Sequence, residues 1–207
     1  PIVYSYILDD AVDAGILNNY RIIVHGLFMS KEKTFFCKTK NGGFIASEQK
    51  NYEFWSTRVY EAKTDAAIAK AKIMRSRMMM NYPSKIEFIR KLSKTISDKC
   101  IIFCNTQEQT EQVCSFSYHS GNKESEENLI YFKTGEIDKL ACCMSLNEGI
   151  NIPDLKSSIV MHSYSNDKNF LQRLGRMMRL NPNDVSTIHL LMYQGTIDEI
   201  WVKNALS

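Results

Sequence analysis

The chain has 207 residues, 44% of them hydrophobic and 24% charged, the balance of an ordinary globular protein of one large domain, or one domain with an appendage. Its net charge of +3 is too small to argue for nucleic acid by itself, so any basic surface has to come from clustering. No run of about 18 apolar residues and no signal-peptide pattern is present, which argues against a membrane partner and against secretion.

PIVYSYILDDAVDAGILNNYRIIVHGLF (1–28) reads as strand, short helix, strand, with Asp9 or Asp10 to cap the helix and Gly15 to end it. It starts at Pro1 inside the first strand, without an initiator Met, so a fragment of a longer protein is expected. TFFCKTKNGGFIASE (34–48) reads as a hairpin turning at Asn41-Gly42. Tyr52, Trp55, Val59, Ala62, Ala66, Ala69 and Ile73 then recur at alternating steps of three and four. That is a stripe on one long helix or on a broken pair, and Thr64 and Asp65, both good N-caps, mark the place for a break. The stripe suits packing against a sheet better than a coiled coil. Lys63, Lys70, Lys72, Arg75 and Arg77 make this region basic, as a solvated face or a phosphate-contacting one.

Residues 85–206 alternate between helix and strand. Ile86, Ile89, Leu92 and Ile96 mark a helix, and KCIIFCNT (99–106) is the continuous apolar run of a strand covered on both faces. A helix follows over 107–116, a short strand over 115–120, and a helix over 123–135 with Gly135 as its stop. Further strands are expected at 139–145, 157–163 and 185–193, with helices at 167–179 and from Ile197 onward. Strands separated by helices argue for an α/β fold with a parallel sheet flanked by helices. This places a helix-flanked domain at 85–207, with residues 1–84 as a linking segment that carries the hairpin and the basic helical region.

The six cysteines (37, 100, 104, 114, 142, 143) form no CxxC pair, and the four histidines do not gather near them. That is not the spacing of a zinc site. Four of them lie in apolar runs, where a reduced, buried thiol is the ordinary state, which favours a reducing cytosol.

Three places just after predicted strands carry candidate chemistry, since ligands of open parallel sheets collect at the carboxyl ends of strands. The first is CNT (104–106) with YHSG (118–121). Amides, hydroxyls and free N–H groups there suit phosphate-backbone contacts, although Asn, Ser and Gly also mark turns everywhere. The second is MSLNEGINIPDL (144–155), where Gly149 allows a close backbone approach and Asn151 stands between apolar Ile150 and Ile152. Asn151 can face a ligand hydroxyl or hold its own backbone. The third is FLQRLGRMMRL (170–180). On a helix, Gln172, Arg176 and Arg179 fall within a wedge of roughly 60°, while Leu171, Leu174 and Met178 gather elsewhere. Two arginines one turn apart suit spread negative charge such as a phosphoryl group. The alternative is solvation of an outer face.

QRLGRMMR (172–179) resembles the last signature motif of superfamily 2 helicases of the DEAD/DEAH-like kind. SLNEGINIP (145–153) resembles the preceding motif, CIIFCNT (100–106) the one that opens the second motor domain, and YHSGNKESEENLIYFKTGE (118–136) the segment between. The four stand in register, and residues 1–26 resemble the segment that enters that domain more weakly. The resemblance implies a RecA-like fold, the C-terminal one of two motor domains, with ATP in the cleft between them. It implies Arg176 and Arg179 as arginine fingers on the γ-phosphate, Gln172 supporting the nucleotide, and Gly149 and Asn151 near the ribose. The family often has aspartate where Asn151 stands. Ser145, in place of the commoner threonine, would meet the phosphates of the nucleic acid, with Asn105, Thr106, His119, Ser120 and Gly121 lining the same track. DNA is favoured over RNA as the partner.

There is no G-x-x-x-x-G-K-[ST] loop in the chain and no DEAD- or DEAH-like acidic motif. ATP and Mg2+ are therefore expected of the full-length protein, held with its N-terminal RecA-like domain, and neither is expected to be held by this chain alone. Two rival readings are the translocating subunit of a restriction system and a nucleic-acid-binding module without motor activity of its own.

Overall fold

The computed structural model describes residues 2–7, 20–39, 42–143, 152–163 and 185–206. In chain order the elements are β1 (Ile2–Ile7), β2 (Tyr20–Leu27), β3 (Phe35–Thr39), β4 (Gly42–Ala46), α1 (Glu48–Glu61), α2 (Asp65–Met80) and α3 (Pro83–Thr95). Then follow β5 (Cys100–Cys104), α4 (Gln107–Val113), β6 (Ser117–Tyr118), α5 (Ser125–Thr134), β7 (Lys139–Cys143), β8 (Ser157–Val160), β9 (Ser186–Tyr193) and α6 (Ile197–Leu206). They form two compact units, residues 28–85 and residues 1–27 with 86–207.

The larger unit is one seven-stranded sheet in the order β1-β2-β9-β8-β5-β7-β6. All neighbours run parallel except β1 and β2, so the expected parallel sheet flanked by helices is present. The central strand β5 is buried along its whole length, which is why its sequence is apolar without alternation. One face packs Ile101, Phe103, Leu140 and Ile188 under Leu129 and Phe132 of α5 and Val202 and Ala205 of α6. The other packs Ile102, Cys104, Ala141 and Ile159 with Ile89 of α3 and Val113 of α4. Gly135 ends α5 with φ 87°, its N–H donating to Tyr131 O; this left-handed stop is the one expected from sequence. Burial pushes the Cys100 thiol up to about 12 and raises Cys104 and Cys142 as well, so these thiols stay protonated and pack as small apolar groups.

The first 27 residues belong with the sheet, because β2 pairs along its full length with β9. The compact units therefore differ from a division at residue 84. The partner that fixes β2 lies 166 positions away (Arg21 with Thr187), beyond the reach of a local change in pattern. On this side of the sheet His25 and His189 meet at 2.9 Å between Nε2 and Nδ1, with rings stacked at 5.1 Å and both nearly buried. Burial, then the charge of His25 and of Arg21, lowers His189 to about 4. Asp9, Asp10 and Gly15 lie outside the described residues.

In the smaller unit β3 and β4 form an antiparallel pair. Gly42 is already in the ladder opposite Thr39, with φ 138°, rather than in the turn where the Asn41-Gly42 reading puts it. The helical stripe breaks where expected, with the Thr64 hydroxyl capping α2 through Ala67 N–H. Beyond the break the stripe fails. Ala66, Ala69 and Ile73 are exposed, while Ala71 and Met79 are buried. A cap resets the helical phase, so a period counted through it points to the wrong face.

Glu48, fully buried, ties the two ends of this unit together. Its carboxylate accepts from Ser30 N–H at 2.8 Å, Ser84 N–H at 2.9 Å and the Ser84 hydroxyl at 2.7 Å. A buried charge satisfied by three donors is tolerated; the same donors without it are not. Glu48→Ala is expected to cost about 3 kcal/mol, read as a lower urea midpoint of Trp55 fluorescence in a Trp201→Phe background. The His25–His189 pair makes a second expectation. The unfolded chain takes up a proton at His189 near its ordinary value of 6.5 and the folded chain only near 4. Stability is therefore full above 6.5 and lost as pH falls from 6.5 to 4, by roughly 3 kcal/mol from this group. Urea midpoints across that window should show the loss, and it should shrink in His189→Leu.

Candidate nucleic-acid interface

Parallel pairing sends the carboxyl ends of the strands to one edge. Cys104, the last residue of β5, stands opposite Cys143, the last of β7, and Tyr118 at the end of β6 stands opposite Cys142. Residues 105–106 and 119–121 therefore leave the same edge on either side of β7, whose own continuation begins at residue 144. Sequence spacing alone does not show that 105–106 and 119–121 flank one strand.

After β5 the chain turns at once into α4. The Thr106 hydroxyl accepts from Gln109 N–H at 3.2 Å, and Asn105 N–H donates to Gln109 Oε1 at 3.1 Å. This reciprocal pair fixes the helix start. Thr106 remains exposed, and its hydroxyl proton can still be donated outward. The Asn105 side-chain amide nitrogen is buried with no hydrogen-bond partner among the described residues. A donor so placed costs about 1–3 kcal/mol unless an acceptor meets it.

After β6 the chain is wired by its own side chains. His119 is buried; its N–H donates to Ser125 Oγ at 3.0 Å, and Ser125 Oγ donates to His119 O at 2.7 Å. Gly121 N–H donates to His119 Nδ1 at 3.2 Å, so Nδ1 serves as the acceptor of the ring. Glu111 Oε1 lies 3.3 Å from Nε2, but the pair is not aligned as a hydrogen bond. His119 thus braces the loop from within, while Ser120 and Gly121 stand outside.

Gln107 joins the two loops across β7. Its Nε2 donates to Ser120 Oγ at 3.0 Å, and a Cβ on Gly121 would sit 2.6 Å from its Oε1. The glycine therefore leaves room for the bridging amide. Sequence reading missed Gln107, Ser125 and Glu111. The only signal was that Gln107 directly follows the CNT run.

Ser145, Gly149, Asn151, Gln172, Arg176 and Arg179 lie outside the described residues. Cys143 ends β7, and Ile152 and Leu155 are fully buried. Pro153 O accepts from the Lys99 ammonium at 2.9 Å, and Asp154 takes φ 57°. Among the described residues no group of three or more His, Cys, Asp or Glu could hold a metal ion, and no helix is long and apolar enough to cross a membrane.

Residues 84–181 match the family model of the helicase conserved C-terminal domain. The chain is 30% identical over 126 residues to the DNA 3'-5' translocase XPB2 of Sulfurisphaera tokodaii, a stretch that is 58% of this chain and 28% of that protein. The match thus spans less than a third of that relative's length. The C-terminal part of the Fun30 ATPase domain aligns with a TM-score of 0.59 at 13% identity, over 91% of this chain and 90% of that one. Dbp5 of S. cerevisiae, bound to RNA and ADP BeF3, aligns with a TM-score of 0.50 at 14% identity, over 58% and 35%. At these identities the two structures speak to fold alone.

Ser125→Ala removes both side-chain bonds that hold the His119 backbone. The expected loss is about 2 kcal/mol, with faster hydrogen exchange at the His119 amide. Unchanged exchange there would mean that another group holds the loop.

Proposed function

We propose a motor role for this chain, which belongs over residues 84–181 to the helicase conserved C-terminal domain family of superfamily 2 and carries its RecA-like sheet. In this reading it is the C-terminal half of an ATP-dependent helicase. Arg176 and Arg179 present guanidinium groups to the γ-phosphate, Gln172 supports the nucleotide, and Gly149 and Asn151 approach the ribose. Bound ATP, with Mg2+, supplies the cleavable phosphoanhydride; the phosphate cradle and metal-holding carboxylates come from the N-terminal RecA-like domain of the same protein.

The nucleic-acid track runs along the carboxyl edge, over Asn105, Thr106, Ser120, Gly121 and Ser145, with His119 stiffening the loop beneath it. Exposed hydroxyls and amides suit sugar and phosphate contacts, which position a strand without reading its sequence. The observation that supports this most directly is the Gln107–Ser120 bridge, which joins the loops after β5 and β6 on either side of β7. DNA is the partner we favour over RNA, and the free cysteines suit a reducing cytosol. A second reading, translocation on duplex without unwinding, is supported by the relative named a DNA translocase.

The test is ATP turnover by the full-length protein with single-stranded DNA, duplex DNA and RNA. Arg176→Ala should lower stimulated turnover about 10³-fold while ATP binding persists, and the 207-residue chain alone should show no magnesium-dependent turnover. Turnover indifferent to Arg176, or robust hydrolysis by the isolated chain, would overturn the assignment. Strand displacement against triplex displacement separates unwinding from duplex translocation.

A further inference from the structure

The net charge of +3 conceals a partition. Residues 28–85 hold 12 of the 26 lysines and arginines and 5 of the 23 aspartates and glutamates, a net of +7. The remaining 149 residues carry a net of −4. All of the excess positive charge therefore belongs to the smaller unit, the part of the chain that the helicase resemblance does not explain.

The same unit exposes aromatic and apolar side chains on its two-stranded ribbon. Phe36, Phe44 and Ile45 are 60%, 57% and 59% exposed. Phe36 stands opposite Ile45, and Lys38 opposite Gly43. The Phe36 ring crosses the place where Gly43 has no side chain; a Cβ there would lie 2.3 Å from its Cζ. Glycine thus lets the ring lie against the ribbon with its other face open. Lys31 and Lys33, both exposed, lead directly into β3, with Glu32 between them.

We propose that the β3–β4 ribbon is a binding site for single-stranded nucleic acid, with Phe36 as a stacking platform for an unpaired base and the surrounding lysines as contacts to its phosphates. An open aromatic face flanked by cations is what sequence-tolerant strand binding requires. Duplex, whose bases are already stacked, offers phosphates to the lysines but nothing to the ring. Pairing of the ribbon with the same ribbon of a second copy is disfavoured, because two units of +7 repel each other. The site lies outside the track at 105–121 and does not rest on the motor reading.

The test is fluorescence anisotropy of the intact chain with a labelled oligothymidylate of about 15 nucleotides and with a duplex of equal length, followed by photocrosslinking. Phe36→Ala should weaken single-strand binding roughly tenfold, and Phe36→Trp should retain it. Lys31→Gln with Lys33→Gln should reduce the slope of log affinity against log salt by about 1.4. Crosslinks should fall on the peptide that carries Phe36 and Phe44. Equal affinity for strand and duplex, a Phe36→Ala chain that binds like wild type, crosslinks confined to 105–121, or self-association abolished by Phe36→Ala would each overturn the proposal.

Discussion

Parallel pairing governs the larger unit. Two parallel neighbours cannot be joined by a tight turn, so each strand is followed by a connection that returns across a face of the sheet. The helices that make those returns cover both faces, and the strands beneath them are apolar along their whole length, as β5 is. The carboxyl ends of the strands from β2 to β6 in the sheet order all open on one edge, while the chain leaves that edge at points far apart in sequence. The loops after β5 and β6 flank β7, which is inserted between those strands, and the Gln107 side chain spans it to reach Ser120.

An edge made of loops has to be stiffened if it is to hold a strand in one geometry. Here the stiffening comes from short polar side chains bonded to nearby backbone rather than from apolar packing. Asn122 and Asn128 both donate to Ser117 O at 3.0 Å, and Ser125 holds His119 on both sides. Most polar groups of the loop are thereby used up internally. Among the described residues the exposed Thr106 and Ser120 hydroxyls remain turned outward. Rigidity below with free donors above is the arrangement that loses least entropy when a flexible polymer is bound.

What the sequence made legible follows the range of the interactions concerned. The apolar runs of β5 and β7, the Thr64 cap and the Gly135 stop are local, and each stands where its residues place it. The stripe through Ala66, Ala69 and Ile73 failed because it assumed one helical phase across a break. Glu48 sits one residue after a helix cap and looks like any first-turn acid. That it is buried and binds Ser30 and Ser84 could not be read without knowing that 30 and 84 are neighbours. His25 and His189 were likewise two unremarked residues in two separate strands. The candidate site was legible as residue types at strand ends, whereas the Gln107 bridge that organises it was not, since it depends on strand order.

The pairing of β2 with β9 also bears on how the chain is made. On a ribosome β2 can pair at once with β1, but its other edge has to wait for β9, whose Thr187 follows Arg21 by 166 positions. Through that interval Ile22 and Val24, fully buried in the finished protein, sit on a strand with one open row of N–H and C=O groups. Contacts of such long sequence separation form slowly, and an apolar strand with a free edge is the usual template for mispairing. The arrival of β9 thus closes that open edge of β2.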